Sequence, residues 1–450
     1  MKKRAIVFLY LFVLLSTVVT CGESVSNGID RTKFQIGTWG FKKSVHDEEH
    51  VKDLKDCGID FVVGFVSVTD TKVLDLFEKY GIGAIVRGPG PRWFGGDGSK
   101  AGRMREIHPK NKYVSSFEKY AKALEHPAVW MIDVSDEPSA KDMEYIGEIS
   151  KWIKEKSPRT PPYVNLYPSY ASVSQNTSEE RINQLGTKTY KEYIQKYCKV
   201  VPVDFISYDF YVYTPEEKRK AKLLFQMYDN FNIVSKACRE NNRSFWYILQ
   251  ANSHLNGNKP FEETSLNRLR FQANTAMAFG AESICWACWT GWWTNNVLTL
   301  DGKKTAQYEK LKTVNKELRN IAPLYMRYKN IATHYVGFNP TNGFEKLNVT
   351  FNRALDTKNI KGVCTLESTP LIVGEMVPRK NGNSSSALFI VASGDPYDSS
   401  TAIRTLVFSS VENRKVDVLS SNGNIEVKRN GNMYSLSIPE NSAVMIISRD

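Results

Sequence analysis

The sequence predicts an α/β protein: a (β/α)₈ TIM barrel followed by an all-β sandwich. Three features carry that expectation. Apolar strand-like runs alternate with helical runs eight times over about 290 residues, the count and length of such a barrel. The fourth strand-like run, 128–136, leads straight into Asp136-Glu137-Pro138, so a strand end delivers two carboxylates. Near Arg327 the helical pattern stops, and short alternating runs punctuated by Asn-Gly pairs take over.

The barrel elements follow in order. A first strand covers 34–39 and ends at Trp39, and a helix over 47–57 is closed by Gly58. The second strand is 61–67, and its helix is 69–80, with Thr69 as the N-cap candidate and Gly81 as terminator. The third strand, 83–87, ends at Arg87. A Gly- and Pro-rich loop over 88–112 is too long for a plain connection, so it should wall a cleft with Arg92, Trp93 and Asp97. A helix over 115–125 leads to the fourth strand. There Trp130, Ile132 and Val134 alternate with Met131, Asp133 and Ser135, the second set sharing a face with Glu137. The remaining strands are 162–167, 204–211, 245–250 and 282–289, and the remaining helices are 143–156, a stretch near 190–198, 223–240, 266–279 and 306–321. A doubly wound open sheet is the alternative, but no Gly-x-Gly-x-x-Gly follows an early strand.

From 327 to 450 the strands include 387–392, 405–408 and 443–447, with turns at Asn342-Gly343, Asn381-Gly382, Asn422-Gly423 and Asn430-Gly431. No convergent polar cluster stands out in this half, which suits a structural or accessory role.

A chain of 450 residues implies two domains, here 33–326 and 327–450. The formal charge is +12, of which Lys2, Lys3 and Arg4 supply three, and no basic block with interleaved aromatics points to nucleic acid. Those three residues head an apolar run over 5–19 that is short for a membrane span and is followed by polar sequence. Cys21 stands where cleavage is expected. The segment 1–21 resembles a bacterial lipoprotein signal with Cys21 as the lipidated residue, although Thr20 replaces the usual Gly or Ala; an ordinary secretory signal is the alternative. Either implies export. With lipidation, a tether over 22–32 would anchor the chain at the outer membrane or in the periplasm, with membrane contact through the lipid only. Cys57, Cys198, Cys238, Cys285, Cys288 and Cys364 form no dense disulfide pattern, and Cys285-x-x-Cys288 lies inside a strand-like run, so these read as core cysteines.

In a barrel of this kind the strand C-terminal ends form the active face. The polar and aromatic residues there are Trp39, Arg87, Asp136, Glu137, Asn165, Tyr167, Asp209, Tyr211, Gln250, Asn252, His254, Trp289 and Trp292. Carboxylates for glycosidic chemistry, amides for hydroxyls and indoles for C–H faces make a sugar-binding set. It includes no metal-ligand constellation and implies no cofactor; His254 is alone. Blander readings exist for each. Asp136 and Glu137 would open the next helix, Asp209 would anchor a tyrosine or a turn, and Trp93, Trp289, Trp292 and Trp293 would be core.

The order of elements over 34–321, with Asp136-Glu137-Pro138 closing strand four and a Trp-rich strand eight, resembles the clan A glycoside hydrolases, especially the β-galactosidase- and cellulase-like barrels. The resemblance covers the barrel alone. It implies that Glu137 is the acid/base, that Asp136 stands where the clan has an Asn contacting the sugar 2-hydroxyl, and that Trp289 matches a tryptophan of the sugar platform. One departure matters: the clan's strand-seven nucleophile is a Glu, and the nearest residue here is Gln250, a neutral amide that cannot form a glycosyl intermediate. Either the register differs, or a second carboxylate comes from Asp209 first or Asp133 second, or hydrolysis has been lost. The leading expectation is an exported glycoside hydrolase acting on a poly- or oligosaccharide. A glycan-binding lipoprotein on a hydrolase-like barrel is the alternative, and an exported scaffold is a third reading.

Overall fold

The computed structural model describes residues 29–450 apart from 97, 172–182, 215, 253–254, 257–258, 261–263, 292–295, 340–343, 381–383, 395 and 398–400. The signal segment with Cys21, and Asp97, His254, Trp292, Trp293, Asn342-Gly343 and Asn381-Gly382, lie outside the described residues.

Eight parallel strands close into a barrel: β1 Gln35–Trp39, β2 Phe61–Ser67, β3 Gly83–Arg87, β4 Val129–Asp136, β5 Pro162–Leu166, β6 Phe205–Asp209, β7 Ser244–Gln250 and β8 Ala281–Ala287. Each pairs with its neighbour in sequence, and β8 returns to β1 along Gln35↔Ser283 to Trp39↔Ala287. Closure leaves no free edge, and large aromatic side chains fill the interior. Trp246 stacks on Phe205 at 4.5 Å and reaches Phe61 and Tyr163 at 5.7 and 6.3 Å. Along β4 the register shifts against both neighbours, which interrupts strict alternation on that strand.

The helices of the ring are α1 Glu48–Asp56, α2 Thr71–Tyr80, α3 Lys110–Tyr120, α4 Met143–Lys156, α5 Tyr190–Val200, α6 Glu217–Glu240, α7 Leu266–Ala278 and α8 Ala306–Tyr325. Two details differ from the sequence expectation. The N-cap of α2 is Asp70, while the Thr69 hydroxyl pairs with Ser67 Oγ at 3.0 Å. Helix α3 starts at Lys110, directly after Pro109, whose fixed φ suits a helix start, and 123–125 form a separate 3₁₀ turn. The loop after β3 is therefore shorter than expected, and it carries a two-residue strand, Trp93–Phe94, that pairs with the end of β4.

The C-terminal part is a sandwich. Its six-stranded sheet orders the short strand Phe351–Asn352, β9 Tyr328–Val336, β11 Leu371–Pro378, β12 Ser386–Ala392, β17 Ala443–Arg449 and β14 Lys415–Ser420. Its four-stranded sheet orders β10 Ile360–Thr365, β13 Ile403–Ser410, β16 Met433–Pro439 and β15 Val427–Asn430. Asn430-Gly431 makes the β15–β16 hairpin. Leu388, Ile390, Leu406, Phe408, Leu436 and Ile446 pack between the sheets.

The alternate residues of the larger sheet face the barrel. Phe389 meets Tyr325 of α8 edge-on at 5.3 Å, and Ile372, Met376, Met445 and Ile447 join the barrel's own core. At this seam the carbonyl of Ala278, at the end of α7, accepts from Asn330 Nδ2 at 3.1 Å and Thr333 Oγ1 at 3.2 Å. Gly374 packs against that carbonyl so closely that a Cβ there would stand 2.4 Å from it. Replacing Gly374 with Ala is therefore expected to lower the melting temperature, at a cost of about 1–3 kcal/mol for an overpacked contact. Thermal unfolding of the purified variant checks this; an unchanged midpoint would show that the seam can yield.

Candidate active site

The strand ends converge on one cavity of about 510 Å³ at the C-terminal mouth of the barrel. Trp39 reaches it from β1, Arg87 from β3, Asp136 and Glu137 from β4, Asn165 from β5 and Asp209 from β6; Phe65, Arg92, Phe94, Tyr211, Ile248, Cys288 and Gly291 complete the lining.

Arg92 organises the floor. Its Nε donates to Asp133 Oδ2 at 2.5 Å and an Nη to Asp136 Oδ2 at 2.7 Å, so one guanidinium bridges two carboxylates of the same strand. Burial together with the Asp136 charge raises the Asp133 carboxyl, and the guanidinium opposes that rise. Asp136 continues the chain of contacts. Asn165 Nδ2 donates both to Asp136 Oδ1 at 3.1 Å and to Asp209 Oδ1 at 2.8 Å. The Asn165 Oδ1 atom accepts from Ser207 Oγ at 3.1 Å, which fixes the orientation of the amide. Asp209 is thus held from β5 across the sheet and is 5 % exposed.

Glu137 leaves the strand in the left-handed region, with φ at +50°, an uncommon conformation for a residue with a side chain. Two backbone contacts hold it. Its N–H donates to Asn165 O at 2.9 Å, and Gly95 lies against its carbonyl, where a Cβ would sit only 1.5 Å from the oxygen. The Gly95 N–H in turn donates to Asp136 O at 2.9 Å. A backbone bend of this kind, over-determined by its surroundings, is found where a side chain must be aimed.

Electrostatics favour a proton on this pair. Burial, then the neighbouring Asp209 and Asp136 charges, push the Glu137 carboxyl well above the ordinary glutamate range, with Arg92 opposing weakly. Burial and Asp136 push Asp209 up to about 7, against the stabilising hydrogen bond from Asn165. Two carboxyls that cannot both ionise easily behave as a linked pair that keeps a proton near neutrality. Cys288 beside them is pushed up to about 12 by burial and by Asp209, so it is a neutral thiol.

The structure brings together Trp39, Arg87, Asp136, Glu137, Asn165, Asp209 and Tyr211 of the residues singled out in the sequence. Tyr167 stands behind the wall: its hydroxyl donates to the Gly96 carbonyl, which also accepts from Gln184 Nε2 at 3.1 Å. Three residues are placed elsewhere. Gln250 is fully buried, its Oε1 accepting from Tyr213 N–H at 3.0 Å, its backbone paired with Gln272, and the strand-seven side chain at the cavity is Ile248. Asn252 is likewise buried, with neither side-chain polar atom hydrogen-bonded. Trp289 packs edge-on against Tyr308 at 5.9 Å, fully buried, and offers no platform. The Gln250 backbone pairs with Gln272 of α7 and Trp289 packs on Tyr308 of α8, so both are held against the helix layer. Trp93 is also buried, against His108, while its neighbour Phe94 is 53 % exposed and faces the cavity. Asp133 is consumed by Arg92 and is no second acid.

Sequence reading missed Phe65, Phe94, Ile248, Cys288 and Gly291 as lining residues. Phe94 had a signal, because its place beside Trp93 in an extended pair means that one of the two rings faces inward and the other outward. Phe65 had none, since its φ of 66° is invisible in an apolar strand sequence. Among the described residues no cluster of His, Cys, Asp and Glu has a metal-holding arrangement.

No protein-family model matches the sequence, and no curated protein sequence matches it. Solved structures similar to the chain include the β-galactosidase from the psychrophilic Marinomonas ef1, at 12 % identity and TM-score 0.42, covering 64 % of this chain and 60 % of that one. A GH30 endoxylanase from Clostridium papyrosolvens C71 is similar at 11 % identity and TM-score 0.40, covering 94 % of this chain and 98 % of that one. The endo-1,4-β-D-mannanase from Thermotoga petrophila RKU-1 is similar at 13 % identity and TM-score 0.41, covering 63 % of this chain and 99 % of that one.

The raised Asp209 carboxyl has a stability signature. Unfolded, an Asp titrates near 3.9; folded, this one titrates at about 7, so the native state holds the extra proton and loses stability as pH rises between those values. Asp209→Asn removes that loss. The melting temperature of the variant relative to wild type should therefore increase from pH 5 to pH 8, as read by parallel thermal melts; a difference independent of pH would contradict the linked pair.

Proposed function

We propose that the chain is a glycoside hydrolase acting on a poly- or oligosaccharide, with Glu137 as general acid/base and Asp209 as the second carboxylate. The observation that carries this reading is that Glu137 and Asp209, both held above the ordinary carboxyl range by burial and neighbouring charge, line one cavity at the mouth of the barrel with Trp39, Phe65, Phe94 and Tyr211. Glycosidic cleavage needs one carboxyl that arrives protonated and one that arrives ionised. Glu137, whose carboxyl burial and the Asp209 and Asp136 charges hold well above the ordinary glutamate range, protonates the departing glycosidic oxygen. Asp209 ionises at about 7 and serves either the anomeric carbon directly or a water that attacks it, according to the separation at which the sugar is held. Asn165, bound to both Asp136 and Asp209, keeps the second carboxylate oriented. The aromatic faces supply stacking for sugar C–H surfaces.

A second reading, glycan binding without turnover, draws on one observation. The seventh strand brings no carboxylate to the cavity; Ile248 lines it, and Gln250 is spent on Tyr213. The two readings separate on Glu137→Gln. Hydrolysis, followed by reducing-end release from a panel of polysaccharides, is expected to fall by about 10²–10⁴-fold, the contribution of a positioned general acid. Wild-type binding without any release, unchanged in the variant, would favour the binding protein.

We propose further that the chain is exported and lipid-anchored at Cys21, at the outer membrane or in the periplasm, and meets the membrane only through that anchor. The basic residues Lys2, Lys3 and Arg4, the apolar 5–19 run and the cysteine after it support this. Cys21→Ala should abolish labelling by a radioactive fatty acid and shift the protein from the membrane to the soluble fraction. Labelling that persists in the variant would refute the anchor.

A further inference from the structure

The cavity holds two arginines with opposite situations. Arg92 is neutralised by Asp133 and Asp136. Arg87, at the end of β3, makes no ion pair or hydrogen bond through its guanidinium with any described residue, and its Nε is fully shielded from solvent without an acceptor. Phe65 covers it, 4.6 Å from guanidinium carbon to ring centroid. The carboxylate oxygens that would have suited it, Asp133 Oδ2 and Asp136 Oδ2, are held by Arg92. Burial and the adjacent Arg92 charge depress the Arg87 guanidinium, and the Asp133 and Asp136 charges offset this only in part.

A part-buried cation without a partner is costly to keep. Ring contact over a guanidinium face leaves the in-plane N–H fork for a planar or tetrahedral oxyanion, the geometry that distinguishes arginine from lysine. Resting on the glycoside hydrolase reading above, we infer that Arg87 makes this cavity selective for an anionic sugar residue, one carrying a carboxylate or a sulfate ester. The barrel order supports this placement. Strand β3 is three strands from β6, so an anion at Arg87 sits across the mouth from Asp209, and the sugar ring spans the interval past Glu137 on β4. The anion then lies away from Asp209, the nearer Asp136 has its Oδ2 held by Arg92, and Trp39 and Phe65 line the cavity with Arg87.

The test uses the full chain carrying Glu137→Gln, so that bound sugars are not turned over. Calorimetric titration compares three sets of oligosaccharides: neutral, hexuronate-containing and sulfated. One anionic set is expected to bind about tenfold or more tighter than the neutral set, as a charge-assisted bidentate contact gives, and the arm that does so identifies carboxylate or sulfate. Adding Arg87→Met should erase that preference, so that neutral and anionic sets bind alike, and Arg87→Lys should restore part of it. Thermal melts of each variant establish that it is folded. Equal affinity for all three sets, or a preference that survives Arg87→Met, overturns the anionic selectivity while the hydrolase reading stands. Failure of every set to bind, together with no hydrolysis by the wild-type chain, overturns both.

Discussion

The contact on which the site depends is the bridge from Arg92 to Asp133 and Asp136. Two carboxylates three residues apart at a strand end, one of them wholly shielded from water, repel one another and lose hydration. One guanidinium placed between them makes the arrangement tenable. Everything downstream is then relayed by hydrogen bonds: Asp136 fixes Asn165, Asn165 fixes Asp209, and the Asn165 backbone receives the Glu137 N–H. The cation belongs to the loop after β3, so the geometry of the carboxyl pair is set by a segment outside the barrel wall. This also explains why that loop is well packed, with Trp93 buried and the Asp142 carboxylate accepting from the N–H groups of Gly102 and Met104 at 2.9 Å each.

Protonation and position have separate origins here. The hydrogen bonds say where the carboxyls stand. Their reluctance to ionise comes from dehydration and from crowding by Asp136, which Arg92 and Asn165 hold in place. A neutral residue at 136 would exert less upward pressure on Glu137. The aspartate at this position thus bears on the acidity of Glu137 and Asp209.

The barrel was legible because its cues are local and repeated. Apolar runs with period two recur for each unit, several helices are closed by glycine, as at Gly81 and Gly280, or capped by Asp47, Thr189, Ser265 and Thr305, and closure follows from the count. The sandwich was legible from its Asn-Gly turns. The strand ending at Asp136 was legible too, and the helix that the sequence equally allowed Asp136 and Glu137 to open starts only at Met143. What was not legible depends on where the chain goes after each strand stops. Gln250, Asn252 and Trp289 have the chemistry of a sugar site, yet the backbone beyond β7 and β8 turns them into the protein, while Ile248 and Cys288 take the lining. Period-two reasoning fails in the same way wherever register shifts, as on β4, and at Phe65, whose positive φ redirects the ring.

Gly95 carries a consequence for the variability of the site. Its α-carbon touches the carbonyl of Glu137, and its N–H holds the carbonyl of Asp136, so loop and strand meet there with no room for even a methyl group. The loop can change length and composition on either side and so reshape the cleft. At this one point, however, it is sutured to Glu137. A grafted loop would need a glycine in the same register, with an arginine three residues before it. Glycine and arginine therefore form a fixed pin around which the rest of the cleft wall can vary.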